Sequence, residues 1–95
     1  MSERNKYDER LVAVGNLIRE KRLSLGDEYK TRDGFIEDRS INLFDNSQWI
    51  SNRYLANIEL GKNQMSIEKL IQISAALEED PVDLFKEIVY IYRTI

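Results

Sequence analysis

The chain has 95 residues, of which 42% are hydrophobic and 33% are charged, and its formal net charge is −3. This length predicts one domain with one modest core, and the composition is that of an ordinary globular domain rather than of a disordered chain. The sequence contains no Cys and no His, which excludes disulfides, thiolate metal sites and the most common general base.

Helix 1 is predicted over about residues 8–24, and Gly26 follows its end. Its inward stripe consists of apolar side chains at helical spacing: Leu11, Val12, Val14, Ile18 and Leu25. Its outer face carries Arg19, Glu20 and Lys21. Gly15 lies inside the helix, where Gly is less favourable than Ala by up to about 1 kcal/mol. We therefore expect another helix to pack closely against Gly15. A polar turn is predicted over residues 27–30.

Helix 2 is predicted to begin after Thr31, because Thr is a favourable N-cap. Asp33 then lies in the first turn, where the helix dipole stabilises a carboxylate. Phe35 and Ile36 are its expected core residues.

Two boundaries between helices 2 and 3 stay open in the sequence. Helix 2 ends near Arg39 or continues through Phe44. Helix 3 begins after Ser47 or after Ser51, since both serines are plausible N-caps. We prefer Ser51, with Ile50 as the apolar residue that packs behind the start of the helix.

Residues 50–62, ISNRYLANIELGK, form the most informative segment of the chain. The inward positions of helix 3 are Ile50, Leu55 and Ile58. The opposite side carries Asn52, Arg53 and Asn57. Arg makes a bidentate pair with guanine and Asn with adenine, so these side chains are suited to reading base edges. Gly61 is expected to end the helix in the left-handed conformation.

Helix 4 is predicted after the N-cap Ser66, and helix 5 after the N-cap Asp80. Pro81 occupies the favoured first position of helix 5, which runs toward Thr94. Helix 5 is apolar on more than one face, with Leu84, Phe85, Ile88, Val89, Tyr90, Ile91 and Tyr92. A terminal helix this apolar in a small domain is expected to bury a second face against a partner chain.

Three segments resemble the Xre/Cro-like helix-turn-helix family of phage repressors and many bacterial regulators. They are residues 18–26 (IREKRLSLG), 50–63 (ISNRYLANIELGKN) and 65–85 (MSIEKLIQISAALEEDPVDLF). The resemblance implies an all-α, five-helix, repressor-like helix-turn-helix domain over residues 1–95. Its core spans about residues 8–86, and the C-terminal helix, at about residues 81–94, serves dimerisation.

The resemblance also implies roles for individual residues. Asn52, Arg53 and Asn57 fall on positions that read bases. The positions expected to touch a phosphate or a base are Ser51, Arg32, Tyr54, Lys62 and Asn63. Arg22 and Glu59 fall on the positions of a partly buried ion pair between helix 1 and the end of helix 3. The excess apolar surface of helix 5 points to a dimer interface of Phe85, Ile88, Val89 and Tyr92.

The chain departs from the family between helices 2 and 3, where about nine extra residues, roughly 42–50, replace a short turn. Leu43, Phe44 and Trp49 predict that this insertion is packed, with Trp49 in the core or anchoring the insertion. Ile36 stands where the family usually has a small residue. Together these differences predict that helix 2 is shifted from its position in the family. Such a shift would move Arg32 away from the family's phosphate-contacting position.

The charge is unevenly distributed along the chain. Residues 1–76 contain 12 basic and 12 acidic residues, whereas residues 77–95 contain 2 basic and 5 acidic residues. We expect this acidic tail to form a solvated face and a helix cap, away from nucleic acid. Non-specific DNA binding should be weak, because neutralisation of phosphates supplies most of that affinity.

The sequence thus predicts a sequence-specific regulator of transcription that binds double-stranded DNA as a homodimer on a palindromic operator. A phage-type repressor, a regulator of a conjugative element and a restriction–modification controller protein all fit this size. The alternative is a protein-interaction module of the same fold, such as an antitoxin or an anti-repressor partner. A regulator that responds to a small molecule or peptide is a weaker alternative, because no ligand pocket is evident.

The remaining expectations concern absences. No apolar run reaches the roughly 20 residues that span a bilayer, and the charged first residues, MSERNKYDER, do not resemble a signal peptide. We therefore expect a cytoplasmic protein without membrane contact. Without a visible nucleophile–base pair or metal cluster, we expect no enzymatic activity and no cofactor.

Overall fold

A computed structural model describes residues 8–95, in which five α-helices and no β-strand are present. The helices are α1 (Glu9–Leu23), α2 (Arg32–Leu43), α3 (Asn52–Glu59), α4 (Ile67–Ala76) and α5 (Pro81–Thr94). A single 3-10 turn over Asp27–Tyr29 lies where the sequence predicted a polar turn. The predicted all-α, five-helix class is therefore confirmed. Among the described residues, no helix is both long and apolar enough to cross a membrane.

The starts of the helices follow local capping chemistry. Each helix begins after a side chain whose oxygen accepts a hydrogen bond from an N–H of the first turn: Asp8, Thr31, Ser51, Ser66 and Asp80. The open start of helix 3 is thus settled in favour of Ser51, and Ile50 is buried behind it as predicted. Gly61, with φ of 79°, follows the end of α3. A Cβ at Gly61 would lie 2.7 Å from the Cα of Val12, so this position requires glycine.

The core lies between all five helices, and Phe35 of α2 and Leu84 of α5 belong to it. Its buried apolar residues are Val14, Ile18, Phe35, Trp49, Ile50, Leu55, Ile58, Leu70, Ile73, Ala76, Leu77 and Leu84. Gly15 brings the backbone of α1 against the end of α3, as the sequence predicted. A Cβ at Gly15 would lie 2.4 Å from the carbonyl oxygen of Ile58 and 2.5 Å from that of Glu59. The absence of a side chain at Gly15 therefore sets the distance between these two helices.

Helix α2 continues to Leu43, which settles its open end, and residues 44–51 connect it to α3. In this connection the ring of Phe44 stacks on that of Trp49 at 4.7 Å, and the Trp49 indole N–H donates to the carbonyl oxygen of Ile36 at 3.2 Å. The prediction of a packed insertion is correct for Phe44 and Trp49 but wrong for Leu43, whose side chain is 49% exposed. The chain turns back at Phe44, so the Phe44 ring rather than Leu43 covers Trp49.

Hydrogen bonds fix this connection to the helices on either side of it. The Ser40 hydroxyl donates to the carbonyl oxygen of Ser47 at 2.6 Å, and the N–H of Asn46 donates to the backbone carbonyl oxygen of Ser40 at 2.8 Å. The Lys69 ammonium of α4 donates to the carbonyl oxygen of Trp49. These contacts hold the segment that leads directly into the N-cap of α3.

Three carboxylates of the acidic tail are paired rather than free. The Lys21 ammonium lies 2.6 Å from Glu79 and 2.9 Å from Glu87, and Arg39 lies 2.8 Å from Glu78. Burial would lower the pKa of Lys21, but the hydrogen bonds to its two carboxylate partners outweigh burial and raise it. Glu78 and Glu87 are nevertheless 65% and 46% exposed, as the predicted solvated face requires. The sequence did not predict that basic side chains of α1 and α2 would pair with this face. Asp80 is a helix cap, as predicted.

Candidate nucleic-acid interface

Helix α3 presents a continuous stripe on the face opposite its buried residues. Leu55, Ile58 and Glu59 are buried. Arg53, Asn57 and Leu60 recur at positions i, i+4 and i+7, which align along one side of a helix. Arg53 is exposed, Asn57 is half-buried and Leu60 is 49% exposed. The stripe combines a guanidinium, an amide and an apolar chain, which are the groups that recognise guanine, adenine and the methyl group of thymine.

Leu60 was not predicted as part of this site, although its helical spacing from Arg53 and Asn57 was visible in the sequence. An apolar residue near a helix end is ordinarily expected to lie in the core, but Leu60 lies at the surface. Its exposure follows from the direction of α3, whose inward stripe ends at Ile58 and Glu59.

Asn52, the first residue of α3, is fixed by α2. Its amide nitrogen donates a hydrogen bond of 2.7 Å to a carboxylate oxygen of Asp33. A carboxylate without a proton can only accept, so this bond fixes which end of the amide faces Asp33. The amide oxygen and the second N–H then remain available as the acceptor–donor pair that matches an adenine edge. The sequence predicted Asn52 in the site but assigned Asp33 only to the helix dipole.

The other end of α3 is held by one buried carboxylate that two arginines share. Glu59 accepts hydrogen bonds from Arg22 at 2.8 and 2.9 Å and from Arg32 at 2.9 Å. Arg22 also donates to the carbonyl oxygens of Tyr29 and Lys30, at 2.6 and 3.0 Å. The predicted Arg22–Glu59 pair is therefore present, with side chains that are 3% and 0% exposed.

Arg32 has a partner within the protein that the sequence did not predict. Its Nε faces Glu59 inside the protein, and 28% of its side chain is exposed. A phosphate contact would therefore have to come from the terminal nitrogens of its guanidinium. That role stays a prediction.

The other predicted contact residues lie at the two ends of α3. The Ser51 hydroxyl caps the helix by accepting from the N–H of Tyr54 at 3.0 Å, which leaves its own proton available to a phosphate. Tyr54 is half-buried, with the Lys69 ammonium 5.8 Å from its ring centroid. Lys62 and Asn63 are exposed after the C-terminal end of α3, and their N–H groups donate to the carbonyl oxygen of Asn57.

The electrostatic character of this surface is mixed. Arg53 and Lys62 are exposed cations, whereas Asp33 and Glu37 of α2 are exposed acids. Asn46 and Gln48 of the α2–α3 connection line an open groove beside Asp33, and the sequence did not single them out. The surface is therefore polar and able to form hydrogen bonds, but it is not strongly basic.

The four residues predicted for the dimer interface occupy a different part of the molecule. Phe85, Ile88, Val89 and Tyr92 all line one groove between α5, α4 and α1. The structure thus places them together on α5, and the phosphate- and base-contacting candidates together around α3.

Comparisons with known proteins find no family model that matches the chain and no curated protein or solved structure that is significantly similar to it. The Xre/Cro-like assignment accordingly remains an expectation from the three sequence segments. Among residues 8–95, no group of three or more acidic side chains is arranged to hold a metal ion.

Proposed function

We propose that the protein is a transcriptional regulator that binds double-stranded DNA sequence-specifically, with α3 in the major groove, and that it acts as a homodimer on a palindromic operator. The observation that carries this proposal is the stripe of Arg53, Asn57 and Leu60 on a helix fixed at both ends. The major groove admits an α-helix, and each base pair presents a distinct pattern of donors and acceptors there.

The fixed ends of α3 matter because base contacts need defined geometry. At the start, Asp33 orients Asn52, and at the end Glu59 joins α3 to α1 and α2. Side chains that are already oriented lose less conformational freedom on binding, so more of the interaction energy remains as affinity. This arrangement favours readout of bases over simple attraction to the phosphate backbone.

The mixed charge of the surface leads to a quantitative expectation. Each phosphate that the protein neutralises adds roughly 0.9 to the slope of log affinity against log salt concentration. With few exposed cations around α3, we expect a shallow slope and weak binding to unrelated sequences. Discrimination between sequences should then depend chiefly on Asn52, Arg53 and Asn57.

The proposal is tested by selecting bound sites from a random duplex library at about 150 mM salt, where non-specific binding is already weak. The wild-type chain is compared with the triple variant Asn52→Ala/Arg53→Ala/Asn57→Ala. We expect a palindromic site from the wild type and no enrichment from the folded variant. Enrichment of the same site by both proteins, or by neither, would contradict the proposal.

A second function, the binding of a protein partner through this fold, is favoured by one observation. Asp33 and Glu37 place two acidic side chains beside α3, and the chain as a whole carries a net charge of −3. Such a surface repels phosphates but attracts basic protein surfaces. A folded wild type that enriches no DNA site but retains a protein partner through purification would support this alternative.

A further inference from the structure

The connection from α2 to α3, residues 44–51, runs back beside α2 in the opposite direction. Its hydrogen bonds trace this course, because each later residue of the connection bonds to an earlier residue of α2. The carbonyl oxygen of Ser47 accepts from the Ser40 hydroxyl at 2.6 Å, and the Trp49 indole N–H donates to the carbonyl oxygen of Ile36 at 3.2 Å. The middle of the connection is therefore anchored to two successive turns of α2.

Gln48 lies between these anchors, with Ser47 before it and Trp49 after it. Its backbone is thus fixed on both sides, whereas its side chain is exposed and lines the open groove that also contains Asp33. Asp33 is the carboxylate that orients Asn52 at the start of α3. The groove therefore joins Gln48 to the first of the base-reading candidates.

The distance between these two amides fits a single major groove. Gln48 lies between the levels of Ser40 and Ile36 along α2, and Asn52 lies at the level of Asp33. A helix rises about 1.5 Å per residue, so the two amides are separated by roughly 5 to 10 Å along α2. The major groove is about 12 Å wide, so a duplex that meets Asn52 can also meet Gln48 within the same groove.

The Gln48 amide has hydrogen-bonding groups that the protein does not use. Within residues 8–95, this amide takes part in no hydrogen bond, although it carries two N–H donors and an acceptor oxygen. Asn42, near the end of α2, differs in this respect. Its amide nitrogen donates to the backbone carbonyl oxygen and to a carboxylate oxygen of Asp38, at 3.0 and 2.9 Å. Two amides close in sequence thus have different roles, since one closes a helix end and the other faces outward.

The charges around Gln48 favour a base rather than a phosphate as its partner. Residues 44–51 contain no Lys or Arg, and their one charged residue is Asp45. The groove itself contains the exposed acids Asp33 and Glu37. Carboxylates repel the phosphate backbone, whereas a glutamine amide makes a bidentate pair with N6 and N7 of adenine.

We propose that Gln48 reads an adenine in the same major groove as α3, so that the insertion between α2 and α3 adds a base pair to the recognised site. The inference rests on the proposed function, because it requires α3 to enter that groove. The packing of Phe44 on Trp49 supports it. A connection that is already ordered loses less conformational freedom on binding, so an exposed amide on it can contribute to affinity.

Selection from a random duplex library tests the inference with wild type and Gln48→Ala. The wild-type site should contain an adenine whose preference falls at least about fivefold in Gln48→Ala, while the preferences at other positions stay the same. The salt dependence of binding should not change, because no phosphate contact is lost. The matched control is Asn42→Ala, which removes an amide bonded within α2 and should keep every preference.

A modified duplex tests the contact itself. An adenine analogue with carbon in place of N7 lacks one of the two groups that the Gln48 amide would contact. At the selected adenine, this analogue should weaken the wild type at least about fivefold and Gln48→Ala less than about twofold, since the variant has no contact to lose. Urea unfolding followed by Trp49 fluorescence should give the same midpoint for both proteins, because the Gln48 side chain is exposed.

The outcomes separate this inference from the proposed function. If the wild type enriches a site and Gln48→Ala keeps all of its preferences, the inference is overturned and readout by α3 stands. An equal loss on every sequence, or equal effects of Asn42→Ala and Gln48→Ala, would also overturn it, because the change would then reflect a phosphate contact or the folding of the connection. A wild type that enriches no site contradicts the proposed function and this inference together.

Discussion

Replacing Glu59 with Gln removes the one negative charge on which two arginines converge, while it keeps the shape of the side chain. Glu59 is 0% exposed and Arg22 is 3% exposed, so water cannot solvate the Arg22 guanidinium once the charge of its partner is removed. Removing one partner of a buried ion pair costs about 3–5 kcal/mol. The Gln carbonyl still accepts one hydrogen bond, and Arg32 is 28% exposed, so we expect the lower end, about 3 kcal/mol.

Urea unfolding followed by the fluorescence of Trp49 measures this loss, because Trp49 is the only tryptophan and is 3% exposed. With a slope of about 1 to 1.5 kcal/mol per molar urea, a loss of about 3 kcal/mol lowers the unfolding midpoint by about 2 to 3 M. The matched control, Glu37→Gln, changes an exposed carboxylate of α2 and should alter stability by less than about 0.5 kcal/mol. Equal midpoints for Glu59→Gln and wild type would show that the buried carboxylate shared by Arg22 and Arg32 does not stabilise the fold.

Three further predictions concern single contacts. Gly15→Ala should lower the free energy of unfolding by about 1–2 kcal/mol in the same assay, because the overlap with α3 outweighs the gain in helix propensity; a more stable variant would contradict this. Lys21→Gln should destabilise the fold by about 1 kcal/mol near neutral pH. Since folding raises the pKa of Lys21 above 10.5, the stability difference from wild type should hold below that pH and vanish as the pH rises through the raised pKa. A difference unchanged at higher pH would exclude the ion pairs as its source. Asp33→Ala should relax selectivity about fivefold at the base pair read by Asn52, without weakening binding to mixed-sequence DNA, in a competition assay with single-base variants of the selected site. A uniform loss of affinity would argue against the positioning role.

The features that the sequence predicted best are those fixed by local chemistry. The caps at Thr31, Ser51, Ser66 and Asp80 are confirmed, because an N-cap needs only one side chain and the first turn of its own helix. Gly61 follows the same logic, since a left-handed residue after a helix favours glycine whatever surrounds it.

Two contacts that depend on the orientation of α2 relative to α3 were not predicted. The bonds from Arg32 to Glu59 and from Asn52 to Asp33 join α2 to the two ends of α3. No spacing along the chain encodes either pair, since both depend on how the connection over residues 44–51 turns. The sequence also left the last residue of α2 undecided. The turn after α2 depends on Asp45 and Asn46, which take left-handed conformations that the surrounding contacts stabilise.

The acidic tail shows a third kind of limit. A run of acidic residues predicts a solvated face and a helix cap, and Asp80 caps α5 as predicted. The positions of Lys21 and Arg39 beside Glu79 and Glu78 follow only from the packing of α1 and α2 against the following segments. Net charge along the sequence therefore overstates how much negative charge is left unpaired on the surface.

Readout of base edges by α3 is tested by the base preference of Arg53 variants on a randomised duplex. Lys at this position keeps the charge but loses the planar, bidentate donor pair, whereas Ala loses both. We predict that Arg53→Lys and Arg53→Ala both relax selectivity at the same single base pair, each by about 1–3 kcal/mol. If Arg53→Lys instead keeps the wild-type preferences and Arg53→Ala weakens binding equally for all sequences, Arg53 contacts a phosphate, and base readout by Arg53 is contradicted.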